Sequence, residues 1–185
     1  MKKENKILDF FITTLNGMAY GLFATLIIAT IIGSIGGLFP DTEFNNILKQ
    51  TSSLLSNLTG AGIGIGIALA LKADSLKTIV LASVGEISSY FSLTTKFVND
   101  GTITNSMKIG DPLTIYLVVI ITNLLLKLIF QKKTPVDILL VPLCGISLGL
   151  IFSLLVRYPT IYVTYGIQYI VNEATLIQPI LMGSI

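Results

Sequence analysis

Residues 10–40 read FFITTLNGMAYGLFATLIIATIIGSIGGLFP, 31 consecutive positions without a charged side chain. A second such run, residues 138–156, reads ILLVPLCGISLGLIFSLLV, 19 positions. A hydrocarbon layer about 30 Å thick is crossed by roughly 20 apolar helical residues, so both runs read as membrane spans. The remaining composition agrees. Of 185 residues 52% are hydrophobic and only 12% charged, against about 25% charged in a soluble domain. That is too little polar side chain to cover a soluble globule. The chain reads as an all-α integral membrane protein, one membrane domain over residues 1–185.

Several functions fall away at once. The net charge is +2 and the lysines are dispersed, so no basic face is offered to nucleic acid. One cysteine excludes an internal disulfide framework or thiolate metal cluster. With no histidine, Ser-His-Asp catalysis, imidazole metal sites and a phosphohistidine carrier are excluded. The first run is too long for a signal-peptide core and no A-x-A-like site closes it, so it reads as retained.

Outward from these runs, the spans fall at about 11–39, 54–71, 78–95, 112–130 and 138–156, with the start of another at 174–185. Five to six transmembrane helices are expected. Residues 41–57 are polar and mixed and suit a short surface helix. In the second span Gly60, Gly64 and Ala68 repeat every four residues, as do Gly62, Gly66 and Ala70. This spacing puts small residues on two adjacent faces, where neighbouring backbones can approach closely in lipid. Residues 78–95 allow two readings, a span with a polar half or a re-entrant hairpin shielded by other helices. Gly110-Asp111-Pro112 opens the next helix, since proline suits a first turn. Pro142, Gly145 and Gly149 mark a kink or close packing.

Five crossings with the N-terminus in the cytoplasm place Lys2, Lys3, Lys6, Lys72, Lys77, Lys127, Lys132 and Lys133 inside, and Lys49, Lys96, Lys108 and Arg157 outside. The ratio of 8 to 4 fits the positive-inside rule. The chain stops at Met182-Gly183-Ser184-Ile185 within an apolar run, which reads as the N-terminal part of a longer protein.

Certain blocks carry a resemblance. They are Asn16-Gly17-Met18-Ala19-Tyr20-Gly21-Leu22-Phe23-Ala24, then Gly110-Asp111-Pro112, then Lys133-Thr134-Pro135-Val136-Asp137-Ile138 with Pro142-Leu143. The last is Asn172-Glu173-Ala174-Thr175 with Gln178-Pro179 and Leu181-Met182-Gly183. In this order they resemble the IIC-like membrane family of the bacterial phosphotransferase system, which includes proteins named as perfringolysin O regulators. The resemblance implies a sugar permease-type fold working as a homodimer in the bacterial cytoplasmic membrane. It also implies IIA and IIB partners that carry the phosphoryl chemistry, so this chain needs no cofactor and no catalytic nucleophile. One departure stands out. Glucose-type members read sugar with a Gly-Ile-Thr-Glu segment and a histidine, and here Asn172-Glu173-Ala174-Thr175 stands without a histidine.

Glu173 is the leading substrate-binding candidate, because a carboxylate beside apolar runs is expensive in a membrane unless it faces a cavity or a partner. Asn172, Thr175 and Gln178 would add polar contacts, the last two on one helical face. The alternative is an acid capping the last helix at the interface. Glu86, after Gly85 in the ambiguous segment, is the second candidate, set against a water-exposed residue beyond a short span. Tyr158, Tyr162, Tyr165 and Tyr169 form one stripe that suits an interfacial belt better than a sugar platform. Asn123 reads as an interhelical hydrogen-bonding group. Cys144 reads as a small packing residue, and Asp137 as an interfacial acid at a helix start. The function expected is sugar binding and translocation. The rivals are a solute transporter uncoupled from phosphotransfer and a membrane-bound regulator that senses a solute.

Overall fold

The computed structural model describes residues 4–40, 42–100, 110–131 and 134–177. All regular structure among them is helical. Helix α1 (Glu4–Leu22) runs through a π-helical turn (Phe23–Ile27) into α2 (Ile28–Gly37), and these form one continuous apolar rod. Within that turn Thr25 donates to the Gly21 carbonyl at 2.8 Å, a back-bond that favours bending. The rod ends before Pro40. Thr42 then caps α3 (Glu43–Asn57) by accepting from the Asn45 N–H at 3.1 Å. A single residue, Leu58, separates α3 from α4 (Thr59–Ala70), and the two helices bend by 49° there.

Helix α4 closes with Lys72 at φ 52°, the left-handed conformation of a helix C-terminal turn. Asp74 starts α5 (Ser75–Asp100) by accepting from the Lys77 N–H at 2.9 Å. Helix α6 (Pro112–Ile129) has Asp111 as its cap and proline in its first turn, as the Gly-Asp-Pro spelling predicts. Helix α7 (Asp137–Ile177) is continuous through Pro142 and Pro159. It therefore runs well past Val156, where the sequence suggests that its span ends.

The glycine ladders place the helices. A Cβ added at Gly17 would lie 2.5 Å from the Gly66 carbonyl oxygen, and one at Gly21 would collide with the Gly62 carbonyl. On the other face of α4, Gly60 and Gly64 meet the α5 backbone at Gly85 and Leu81. One ladder thus seats α1 and the other seats α5, the two adjacent faces read from the four-residue spacing. Val80 and Val84 of α5 press onto Gly145 and Gly149 of α7, so these glycines serve close packing. The core between them holds Ile63, Ile67, Leu81, Val84, Ile115 and Val118, all buried. Thr14 and Tyr116 share a hydrogen bond of 2.8 Å that ties α1 to α6. Apolar side chains such as Phe11, Phe23, Leu139 and Ile151 stay exposed on the outside, as a lipid-facing surface requires.

Among the described residues, three helices are long and apolar enough to cross a membrane, or four when α3 and α4 count as one bent span. The sequence expectation of five to six is larger. Helix α5 falls outside the set because Lys77, Glu86, Ser88, Ser89 and Ser92 dilute its apolar surface. The re-entrant reading of 78–95 is corrected, since that segment lies inside the unbroken α5. The break lies instead at Leu58, where the sequence suggests a surface helix leading into a separate span. Residues 178–185, including Gln178 and most of the last expected span, lie outside the described residues.

Candidate functional site: a carboxylate at a helix break

Helix α4 has 12 residues, about 18 Å at 1.5 Å per residue, little more than half a hydrocarbon layer. Its N-terminus therefore lies well inside the bundle. The first amides of a helix have no intrahelical acceptor. In lipid such a group needs another partner. Glu86 of α5 is that partner, and its carboxylate accepts from the Ala61 N–H at 3.1 Å. The site is brought together by the glycines, since Gly60 meets the α5 backbone at Gly85 and Glu86 and the side chain of Ser89. A carboxylate at a helix N-terminus also meets the positive end of the helix dipole. Glu86 is half-buried and lies 11 residues, about 17 Å, along α5 from Ser75.

The π-helical turn sits at the same level, because Thr25 is the nearest side chain to a Cβ at Gly62, one residue past Ala61. The π-helical turn and Glu86 thus flank the first turns of α4 from two different faces. Single-turn π segments recur at functional positions, and half-helix termini at mid-depth recur in transporter binding sites. Ser88, next on α5, is fully buried and its hydroxyl lacks a hydrogen-bond partner among the described residues.

A second polar cluster, one turn along α5, appears only in three dimensions. Ser89 accepts from the Gly110 N–H at 3.2 Å and Ser92 from the Asp111 N–H at 3.0 Å. Asp111 is 5% exposed and accepts from the Thr114 N–H at 3.2 Å and its hydroxyl at 2.8 Å. Thr114 meets Thr160 of α7 at 2.5 Å, and Thr164 reaches Asp111 at 3.4 Å. The Asp-Pro spelling signals the helix cap, but nothing in the linear spacing signals that three helices would bury it. The cluster locks α5, α6 and α7 together at that depth.

The other sequence candidates disperse. Asn172, Glu173 and Thr175 lie on the last turns of α7. Gly149 is in contact with Val84, near the level of Glu86, and Glu173 is 24 residues further on, about 36 Å along the axis. One copy of the chain therefore does not unite Glu173 with Glu86. Asn123 is fully buried, yet its amide has no hydrogen-bond partner among the described residues, a departure from the interhelical bond expected of it. Its helix faces an aliphatic core, which offers no acceptor. Tyr158, Tyr162 and Tyr169 are exposed, and the Arg157 guanidinium stacks 4.7 Å over the Tyr158 ring. Cys144 is half-buried. A cavity of about 550 Å³ lies between the α4–α5 and α6–α7 turns, lined by Asp74, Lys77, Phe130, Gln131, Thr134 and Asp137.

No curated protein and no solved structure matches the chain. The family model described as "Phosphotransferase system, EIIC" matches residues 12–185. That stretch takes in the broken helix, the π-helical turn and Glu86 alike, and by it the chain belongs to the phosphotransferase system EIIC family of multi-pass membrane proteins.

Proposed function

We propose that this chain is the membrane permease unit of a phosphoenolpyruvate-dependent sugar phosphotransferase system, and that it binds its sugar at the α4 break beside Glu86. The family brings a permease-type role, with sugar as the substrate class and soluble IIA and IIB partners in general. The observation that carries the site is the Glu86 carboxylate on the Ala61 amide at the start of α4. A carboxylate accepts hydrogen bonds from sugar hydroxyls, and the neighbouring first-turn amides of α4 can donate to sugar oxygens. Such paired donors and acceptors are what a polyol requires. The phosphoryl chemistry belongs to the partners.

In this reading the chain crosses the bacterial cytoplasmic membrane five times with its N-terminus in the cytoplasm, and works as a homodimer that moves the sugar inward. Helix α5 supplies the fifth crossing, because it packs on α4, α6 and α7. Lys6, Lys72, Lys77 and Lys127 gather where α1 and α5 begin and α4 and α6 end, in keeping with a cytoplasmic end. By residue type and sequence proximity, Asn172, Glu173, Thr175 and Gln178 are proposed as a second set of sugar contacts.

The test is binding of a panel of phosphotransferase sugars to the purified protein in lipid nanodiscs, read by thermal shift. Stabilisation by one sugar, weakened roughly 10- to 100-fold by Glu86→Gln, is the expected result, since a hydrogen bond to a charged group contributes about 1.5–3 kcal/mol. Glu173→Gln in the same assay separates the two polar groups. Stabilisation untouched by Glu86→Gln would move the site away from the break.

A further inference from the structure

The turns that join α4 to α5 and α6 to α7 hold between them the cavity of about 550 Å³, a volume within the range of small-molecule sites. It lies at the shared end of α6 and α7, two helices long and apolar enough to span a membrane. Spanning helices end where the lipid headgroups begin. The inner lining is apolar, with Val141 buried and Leu76 and Phe130 half-buried. The rim is reachable, since Ser75, Gln131, Thr134 and Ile138 are exposed.

The lining holds both signs of charge. Lys77, whose side chain is 14% exposed, stands 3.8 Å from Asp74, which also accepts from the Lys77 N–H at 2.9 Å. Asp137 accepts from the Thr134 N–H at 2.9 Å and from the Thr134 hydroxyl. A carboxylate has about four acceptor positions, so both acids keep capacity for a further donor. Two helix N-termini open on the same space, because Ser75 and Leu76 begin α5 and Ile138 stands in the first turn of α7. The Asp74 carbonyl takes the Thr78 N–H, and the Val136 carbonyl takes those of Leu139 and Leu140. The amides of Ser75, Leu76 and Ile138 come earlier in each helix, in the positions that bind oxyanions. Two carboxylates, one ammonium and two helix ends of about half a positive charge each leave the described lining close to neutral. A neutral lining with its signs separated complements a zwitterion better than a net anion or a net cation.

We propose that this cavity binds a phosphoethanolamine group, with its ammonium on Asp74 and Asp137 and its phosphate on Lys77 and the first turns of α5 and α7. A phospholipid supplies that group at the level of the cavity, with its acyl chains on the exposed apolar side chains of Ile138 and Leu139. Water-soluble phosphoethanolamine carries the same chemistry. A primary ammonium offers three donors to the carboxylates, and a trimethylated nitrogen offers none, so the site separates the two headgroups. Lys132 and Lys133 belong to the same turn and lie outside the described residues, which makes an anionic lipid the second comparison. The inference is independent of the sugar reading and of Glu86.

The test is lipid binding to the full chain in detergent, read by native mass spectrometry with dioleoyl phosphatidylethanolamine, phosphatidylcholine and phosphatidylglycerol titrated separately. The ethanolamine lipid is expected to bind at least about 10-fold tighter than either of the others, as one or more hydrogen bonds to charged groups would give. Lys77→Gln and Asp137→Asn are each expected to remove most of that preference. Asparagine still caps a helix, so Asp137→Asn keeps the start of α7, and variants are compared only where gel filtration gives the parent profile. The comparison of headgroups on the parent chain needs no variant. Three results would overturn the site. They are equal binding of the ethanolamine and choline lipids, tighter binding of the glycerol lipid than of the ethanolamine lipid, and a preference untouched by both variants. Soluble phosphoethanolamine is added as competitor to identify the source. Displacement of the lipid by it at comparable concentration keeps the site and assigns it to a water-soluble ligand, and resistance to displacement keeps the site for the phospholipid.

Discussion

Glu86 accepts the Ala61 N–H at 3.1 Å across 25 positions of sequence, so a side chain of one helix caps the start of another inside the bundle. An ordinary helix cap comes from the residue just before the helix. Here that residue is Leu58, which offers no side-chain cap. The cap is supplied in trans, and whatever moves Glu86 also uncovers the α4 terminus.

Replacing Glu86 is therefore expected to affect folding. Glu86→Leu leaves the Ala61 amide without an acceptor, at a cost of about 1–3 kcal/mol. Glu86→Gln keeps an acceptor and is expected to lose less than half as much. Reversible unfolding in mixed micelles with increasing denaturing detergent measures both. Equal losses for the two variants would show that charge, not hydrogen bonding, holds the terminus.

The glycine ladders predict a sharp contrast between sites. Gly21→Leu and Gly66→Val place side chains into the backbone of the facing helix, where neither partner can yield. Loss of the folded, monodisperse species is expected, and fluorescence-detected gel filtration reads it. Gly166→Ala and Gly37→Ala meet nothing within 4 Å. They are expected to be neutral or to stabilise by up to about 1 kcal/mol through better helix propensity.

The buried Asp111 cluster makes a graded prediction. Asp111→Ala removes the α6 cap and leaves the buried Thr114 N–H unpaired, so a loss of about 2–4 kcal/mol is expected. Thr160→Val removes the Thr114–Thr160 link to α7 but leaves Thr164 on Asp111, and should cost about 1 kcal/mol. The same unfolding assay ranks the two. The opposite order would mean that α6 and α7 are held by the threonine pair rather than by the cap.

Lys72 holds φ 52° at the end of α4, a conformation that a side chain other than glycine occupies at a cost of about 1 kcal/mol. Lys72→Gly is expected to raise stability by up to that amount, or to leave it unchanged where unfolded-chain entropy offsets the gain. Thermal unfolding of the pair checks the sign.

The interhelical bond between Thr14 and Tyr116 at 2.8 Å should be worth little. A double-mutant cycle with Thr14→Val and Tyr116→Phe is expected to give a coupling of about 0.6 kcal/mol, because the unfolded chain in the membrane finds other partners. A coupling above about 2 kcal/mol would place this bond among the principal supports of the α1–α6 contact.

By itself the sequence determined the solvent and the close contacts. The uncharged runs at 10–40 and 138–156 leave no choice but helices in lipid, since every backbone group there must be bonded within its own segment. The four-residue spacing of small residues in α4 states which faces take a neighbour, because that information is local to one helix. Tertiary structure alone decided where the chain breaks and what holds the break. Asn57-Leu58-Thr59 contains no proline and no charge, so nothing local stops the helix. The break stands where Glu86, brought by Gly60 on Gly85, can take the freed amide. Likewise Gly110-Asp111-Pro112 spells a cap, but its burial required Ser92 and Thr160, 19 residues before and 49 after. A partner that distant leaves no trace in the spacing of either segment, because only the packed bundle brings them within hydrogen-bonding reach.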